Sequence, residues 1–408
     1  MREERDDDPF SAYHWQYDSA GRLLSQDGTL PGREQWQWDV AGNPLDNIGE
    51  KITHNRVTQL NGIRWRHDIH GRTVEKDDGR TRWHYRYDGE HRLTEVISQP
   101  RDRTRPQVAV SFRYDPLGRR ISKTRRRTLA GQPHGKTVTT RFVWEGFRLL
   151  QEIRDEVPLT YVYTDQNSHE PLARIDGVNA PDIYWFHNQP DGTPERLTDA
   201  EGRVCWEAQN SAWGKLLSER EVQLAGCAQN LRMQGQYLDR ETGLHYNLFR
   251  YYDPDCGRFT QQDPIGLAGG LNLYQYAPNP LSYIDPLGLT KCKATSFKSR
   301  NEAFRAAKRD VGIPMNQQPL KVELVPLTER NGKLLLGDDH LPVKTREYTF
   351  SNLGGGSIVI QDHSPGHIYG PPGTPGNQGP HINVRPANDT RNGTIPGTLE
   401  HYFFKEQK

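Results

Sequence analysis

The chain has few apolar residues: they fill 33% of its 408 positions, and the mean hydropathy is −0.89. No apolar run approaches the ~18 residues of a membrane-spanning helix. The opening stretch MREERDDDPF is charged and lacks the apolar core of a secretory signal. Cysteine is scarce as well. Cys205, Cys227, Cys256 and Cys292 are scattered without a C-x-x-C pair, which suits neither a disulfide framework nor a cysteine zinc site. The net charge is only +1, yet residues 290–408 carry 16 Lys/Arg against 11 Asp/Glu. That modest excess is compatible with a polyanionic partner.

Aromatic and turn residues are plentiful. Nine Trp, 18 Tyr and 12 Phe are spread between 38 Gly and 28 Pro. Aromatics bury large areas, and their spacing between turn residues predicts many short strands. The expected class is mainly β, and the length suits two or three domains of roughly 100–200 residues each.

A repeat fills the first part. WQYDSAGRLLS (15–25) returns as WQWDVAGNPLD (36–46), WRHDIHGRTVE (65–75), YRYDGEHRLTE (85–95) and FRYDPLGRRIS (112–122). The aspartates are Asp18, Asp39, Asp68, Asp88 and Asp115, at steps of 21, 29, 20 and 27 residues. Each copy reads as a β-hairpin. Alternating aromatics face one side, Asp caps the turn, and Gly takes a positive φ. FVWEGFRLL (142–150), YVYTDQN (161–167) and 183–204 read as worn copies. An ordinary antiparallel domain with repetitive hairpins is the plainer alternative.

These copies resemble the YD repeats of Rhs and teneurin-type proteins, over about residues 13–250. The resemblance implies a β-shell that encloses a cargo. With 289 residues ahead of the motif's end, the shell expected here is partial.

Residues 250–289, RYYDPDCGRFTQQDPIGLAGGLNLYQYAPNPLSYIDPLGL, hold two Asp-Pro-x-Gly units, 263–266 and 285–288. They resemble the Rhs core terminus, whose doubled unit forms an aspartyl autoprotease. The resemblance implies catalytic Asp263 and Asp285, a supporting Arg258, and a cut between Leu289 and Thr290. The chemistry is coherent. Two close carboxylates do not ionise together easily, so one activates water while the other polarises the carbonyl. Read without the resemblance, both aspartates are turn caps.

Composition changes after Leu289. Ser299-x-x-Glu302 is a capping box, Ala303, Ala307 and Val311 share a helical face with Phe304 alongside, and Gly312 and Pro314 end the helix. Strands are expected at 321–327, 345–351 and 357–363, with LGGG (353–356) turning between the last two. The Gly/Pro-rich stretch 370–380 is expected to be a loop. His363, His367, His381 and His401 fall within the last 46 residues, with Glu347 and Asp362 near them. Imidazoles with carboxylates suit a divalent metal. Strand alternation gives Asp362 and His363 different faces, and hence different tasks. Taken singly, Glu347 also reads as a solvated or paired carboxylate, and His401 as structural.

Over about 298–404 the order Glu347, His363, His367, His381 resembles the HNH/endonuclease VII toxins marked by one Glu and three His. The implied fold is a small α+β domain of the ββα-metal type. The implied activity is metal-dependent DNA hydrolysis. His363 is the expected general base. His367 and His381, with Asp362 or Glu347, are the expected ligands of Mg²⁺, Mn²⁺ or Zn²⁺. Arg385 and Arg346, with Lys344, are expected on the phosphates.

The expected organisation is a YD-repeat core fragment (1–249), a core terminus with the self-cleavage motif (250–289) and a toxin domain (290–408). The resemblance implies interbacterial competition and a cognate immunity protein. It also implies a type VI secretion spike and chaperone if the chain is part of a longer protein. Such a toxin leaves the producer's cytoplasm without a signal peptide and acts in the target cytoplasm. Two alternatives stay open. One is a metal-independent ribonuclease in which His363 and His381 act as an acid/base pair on the 2′-hydroxyl. The other is a non-catalytic YD-repeat surface or adhesion protein. A deaminase finds no H-x-E…P-C-x-x-C signature here.

Overall fold

In the computed structural model the chain divides into two compact units, Met1–Lys291 and Cys292–Lys408. The structure describes residues 2–5, 8–27, 33–47, 52–164, 168–189, 191–221, 228–289, 292–293, 296–297, 300–327, 334, 342–351, 356–363, 367–368, 377–378, 381–390, 393, 395, 398 and 402–404. Both units are mainly β. Among the described residues no helix is long and apolar enough to cross a membrane.

The first unit is built on a 16-stranded antiparallel sheet running from Gln59–Leu60 to Leu216–Glu221, in which strands pair with their neighbours along the chain. The repeat explains this meander. Asp88 shows the chemistry of each turn. Its Oδ1 accepts the backbone N–H groups of Glu90 (3.0 Å) and Arg92 (2.9 Å), and its Oδ2 accepts Arg92 Nε at 2.8 Å. Asp18, Asp68 and Asp115 repeat the set with Arg22, Arg72 and Arg119. Gly21, Gly42, Gly71 and Gly118 hold the left-handed turn position at φ 75–82°, and His91 takes it in the fourth copy at φ 63°. The turn arginine also reaches the next copy. Arg72 lies over the Tyr87 ring, 4.9 Å from its centroid, and Tyr87 donates to the Thr73 carbonyl at 2.9 Å.

The inward aromatics Tyr85, Phe112, Phe142, Tyr161 and Tyr184 pack against Tyr237, Tyr246 and Tyr251. Burying each ring stabilises the fold by roughly 2–3 kcal/mol. Those three tyrosines belong to a small antiparallel sheet of Tyr237–Asp239, Leu244–Asn247, Arg250–Asp253 and Arg258–Phe259. This sheet positions the doubled Asp-Pro motif.

In the second unit one helix, Arg300–Asp310, packs on a sheet whose strand order is 296–297, 402–404, 381–386, 357–363, 344–351, 321–326. Ala303, Ala306 and Ala307 of the helix are buried against Phe350, Ile358, Ile360, Ile382, Val384 and Tyr402. The expected cap Ser299 lies outside the described residues, as do Thr290, His401 and most of 353–356 and 370–380. Part of the expected 370–380 loop is a strand instead: Asn377–Gln378 pairs antiparallel with His367–Ile368.

Candidate functional site

The two Asp-Pro units meet at one arginine. Arg250 Nη2 lies 3.0 Å from Asp263 Oδ2 and 3.3 Å from Asp285 Oδ2. All three residues are buried. Arg250 Nε donates to the Gly288 carbonyl, and its Nη1 to the Leu273 carbonyl at 3.0 Å. Asn247 Nδ2 donates to the Asp285 carbonyl at 2.7 Å. Burial pushes the Arg250 guanidinium down, to about 10, against the pull of Asp263 and Asp285, so it stays protonated at neutral pH.

Both carboxylates cap turns as well. Asp263 Oδ1 accepts Ile265 N–H at 3.1 Å, and Asp285 Oδ1 accepts Leu289 N–H at 2.9 Å. The second of these bonds ties Asp285 to Leu289. Gly269 brings Asp263 to the same point: a Cβ there would stand 2.2 Å from Asp263 Oδ2 and 2.6 Å from the Leu289 carbonyl oxygen. Two carboxylates and the Leu289 carbonyl thus converge.

Arg258 is a correction. Its guanidinium bonds Asn43 Oδ1, the Asn55 carbonyl (3.0 Å) and Asn272 Oδ1 (2.8 Å), and none of its printed bonds reaches Asp263 or Asp285. It braces early loops against the core terminus, and burial holds it down at about 10. Arg250, which the sequence reading missed, takes the expected place. Its signal is weak, because Arg250 reaches the carboxylates through strand pairing and not through spacing.

In the second unit His363 and His381 are direct partners across neighbouring antiparallel strands. Their rings stack, centroids 4.8 Å apart and planes at 28°, and both residues are buried. Strand alternation puts Gln361 with His363, and Asn383 and Arg385 with His381, on this same face. Glu347 joins it opposite Gln361, whose Nε2 donates to Glu347 Oε1 at 2.7 Å. Arg385 Nη1 donates to the Gly393 carbonyl at 2.9 Å. Gln361 and Asn383 were missed, although each stands two residues from a histidine, the interval that shares a strand face.

Asp362 and Arg346 are corrections of position. Both point to the opposite face, where they are register partners. Asp362 accepts Arg300 Nε at 2.7 Å, and Arg300 also donates to Tyr348 Oη at 2.8 Å. Arg346 sits beside Tyr348 and not beside the histidines. His367 has its backbone placed on the ribbon with Asn377–Gln378. Among the described residues no three His, Cys, Asp or Glu side chains converge to ligate a metal.

Residues 335–404 match the family model of HNH/Endo VII superfamily nuclease toxins, and residues 183–220 match that of RHS protein. This is an Rhs chain with a nuclease-toxin segment at its C-terminal end. The Rhs chain is 42% identical over 294 residues to Double-stranded DNA deaminase toxin A of Burkholderia cenocepacia, covering 67% of this chain and 20% of that protein. It is 31% identical over 352 residues to toxin protein Tse5 of Pseudomonas aeruginosa, covering 70% and 26%. It is 28% identical over 261 residues to probable deoxyribonuclease RhsA of Dickeya dadantii, covering 62% and 17%. The Rhs chain therefore spans between a sixth and about a quarter of the length of these relatives.

Proposed function

We propose that this chain is part of an interbacterial Rhs toxin whose second unit hydrolyses phosphodiester bonds in target-cell DNA. The observation that carries the reading is the stacked His363–His381 pair with Glu347 on the same sheet face. It falls inside the stretch that matches the nuclease toxins.

By donor type these residues fit a divalent cation, since imidazole and carboxylate are its usual ligands. His381 and Glu347 would hold it, with His367 as a further imidazole. The metal supplies Lewis acidity to the phosphodiester. His363 takes the proton of the attacking water, a role suited to a group that titrates near neutral pH. Gln361 fixes the Glu347 carboxylate by its hydrogen bond. Arg385, on the same face, offers its guanidinium to phosphate oxygens.

The core terminus, on this reading, cuts the chain between Leu289 and Thr290. Asp263 and Asp285 share one proton, and Arg250 holds their outer oxygens in register. The ionised carboxylate activates water and the protonated one polarises the Leu289 carbonyl. A cognate immunity protein covers the nuclease in the producer. Delivery uses a type VI spike and chaperone, and the toxin acts in the target cytoplasm.

The test is the purified chain with plasmid DNA and total RNA, in Mg²⁺, Mn²⁺ or Zn²⁺ and in EDTA, beside His363→Ala. DNA loss that needs both metal and His363 is expected. RNA loss that survives EDTA would move the mechanism to an acid/base ribonuclease on the same histidine pair. Intact DNA and RNA with folded protein would end the nuclease reading.

A further inference from the structure

Arg232 is a charge without a counter-charge inside the first unit. It is 1% exposed. Its Nη1 donates to the carbonyls of Leu231 (2.7 Å) and Gln229 (3.3 Å). Its Nε and Nη2 are buried and have no hydrogen-bond partner among the described residues. The nearby carboxylates are committed elsewhere. Glu219 accepts both Nη groups of Arg240, at 2.6 and 2.7 Å, and Trp206 Nε1 at 2.7 Å. Glu152 serves Arg154, Tyr161 and Tyr237. Arg240 also donates to the Gln229 carbonyl at 2.8 Å. Two guanidinium groups therefore share one carbonyl and one carboxylate, leaving one positive charge in excess. Burial, then Arg240, push Arg232 down to about 9, which still leaves it protonated at neutral pH.

Arg232 lines a cavity of about 20 Å³, together with His169, Gln236, Trp144, Tyr163 and Tyr246. That volume holds one water-sized body. The other polar groups of the lining lean toward donors. Gln236 Oε1 is bonded to His245 Nδ1 at 2.7 Å, while Gln236 Nε2 lacks a partner among the described residues. His169 Nε2 lacks one too, and burial keeps this imidazole neutral, with one ring N–H to give. A water molecule satisfies donors but leaves the charge uncompensated, and an isolated buried charge is costly.

We propose that this cavity binds one small monatomic anion of chloride size, held by Arg232 Nε and Nη2 with Gln236 and His169 as further donors. The anion neutralises the guanidinium and so stabilises the packing of residues 229–240 on the large sheet. Polyatomic anions and side-chain carboxylates exceed the space.

The test is thermal unfolding of the full chain across a chloride series, with gluconate holding ionic strength constant. Tm should rise with chloride and then saturate, by about 2 °C in all. The same series on Arg232→Met should show no chloride dependence, whatever that variant's own Tm. A wild-type Tm indifferent to chloride, or a variant that keeps the full dependence, would overturn the proposal. Should Arg232→Met fail to fold, bromide-soaked crystals of the wild type decide. An anomalous peak in this cavity is expected, and water density without one refutes the site.

Discussion

Gly235 abuts the backbone of Pro286. A Cβ at 235 would stand 2.2 Å from the Pro286 carbonyl oxygen and 2.5 Å from its Cα. Pro286 follows Asp285, so any shift there moves one carboxylate of the junction. Gly235→Ala should therefore stop conversion of the chain into two pieces on a gel. It should also lose several times the stability that Gly243→Ala loses. Gly243 has a similar φ, +74° against +83°, but nothing within 4 Å of its would-be Cβ. That control carries only the left-handed strain of roughly 1–2 kcal/mol. Equal losses for the two variants would refute the packing argument.

The arginines of the core terminus give the second prediction. Arg250→Met leaves Asp263 and Asp285 buried without their shared cation, which should cost about 3–5 kcal/mol in urea unfolding. It should also abolish self-cleavage. Arg258→Lys should leave self-cleavage in place, because Arg258 bonds Asn43, Asn55 and Asn272 instead. Loss of cleavage in the lysine variant, with the fold intact, would restore Arg258 to the site.

The hairpins were legible because one turn carries all its chemistry within five residues. Asp88 bonds Glu90 and Arg92, and both lie inside the motif. The helix at 300–310 and the strands at 344–351 and 357–363 were legible for the same reason, since their periodicities are local. The split between Asp362 and His363 followed from alternation alone. What escaped depends on partners distant in the chain. Arg250 finds Asp285 35 residues away, and Arg300 finds Asp362 62 residues away. Spacing carries no trace of either pairing. Arg258 drew attention by standing in a motif, but its strand aims it toward Asn43, 215 residues upstream.

Gln361 supplies a third prediction. It touches Glu347 and stands one step along its strand face from His363. Gln361→Leu keeps the size and removes the hydrogen bond, leaving the Glu347 carboxylate unsteadied. DNA hydrolysis should fall about 10–100-fold, the range seen when a partner of a metal-binding side chain is removed. The metal concentration for half-maximal rate should rise, and circular dichroism should stay unchanged. Gln361→Glu should do more harm, since it sets two carboxylates against each other. Wild-type rates in both variants would detach Glu347 from the chemistry.

Acid should weaken the first unit in two stages. His67 is held down at about 4 by burial, then by Arg56 and Arg258. His169 is held at about 4 by burial and by Arg148. An unfolded histidine binds its proton near pH 6.5, whereas these folded ones refuse it until about 4. Their neutral packing is therefore fully stabilising above about pH 6.5, and it is lost as pH falls toward 4. Asp255 governs the next stage. Burial raises it, but Lys76 and Lys215 outweigh that and hold it at about 2. Its ion pairs, with Lys76 Nζ at 2.5 Å and Lys215 Nζ at 2.7 Å, are fully present above the ordinary carboxylate range and lost between about pH 4 and 2. Urea midpoints at pH 7.5, 5 and 3, illustrative values taken roughly either side of these windows, should fall at each step. In a His67→Gln, His169→Gln double variant the first step should flatten while the second remains. A wild-type midpoint that holds steady from pH 7.5 to 5 would mean that neither imidazole resists protonation in the folded unit.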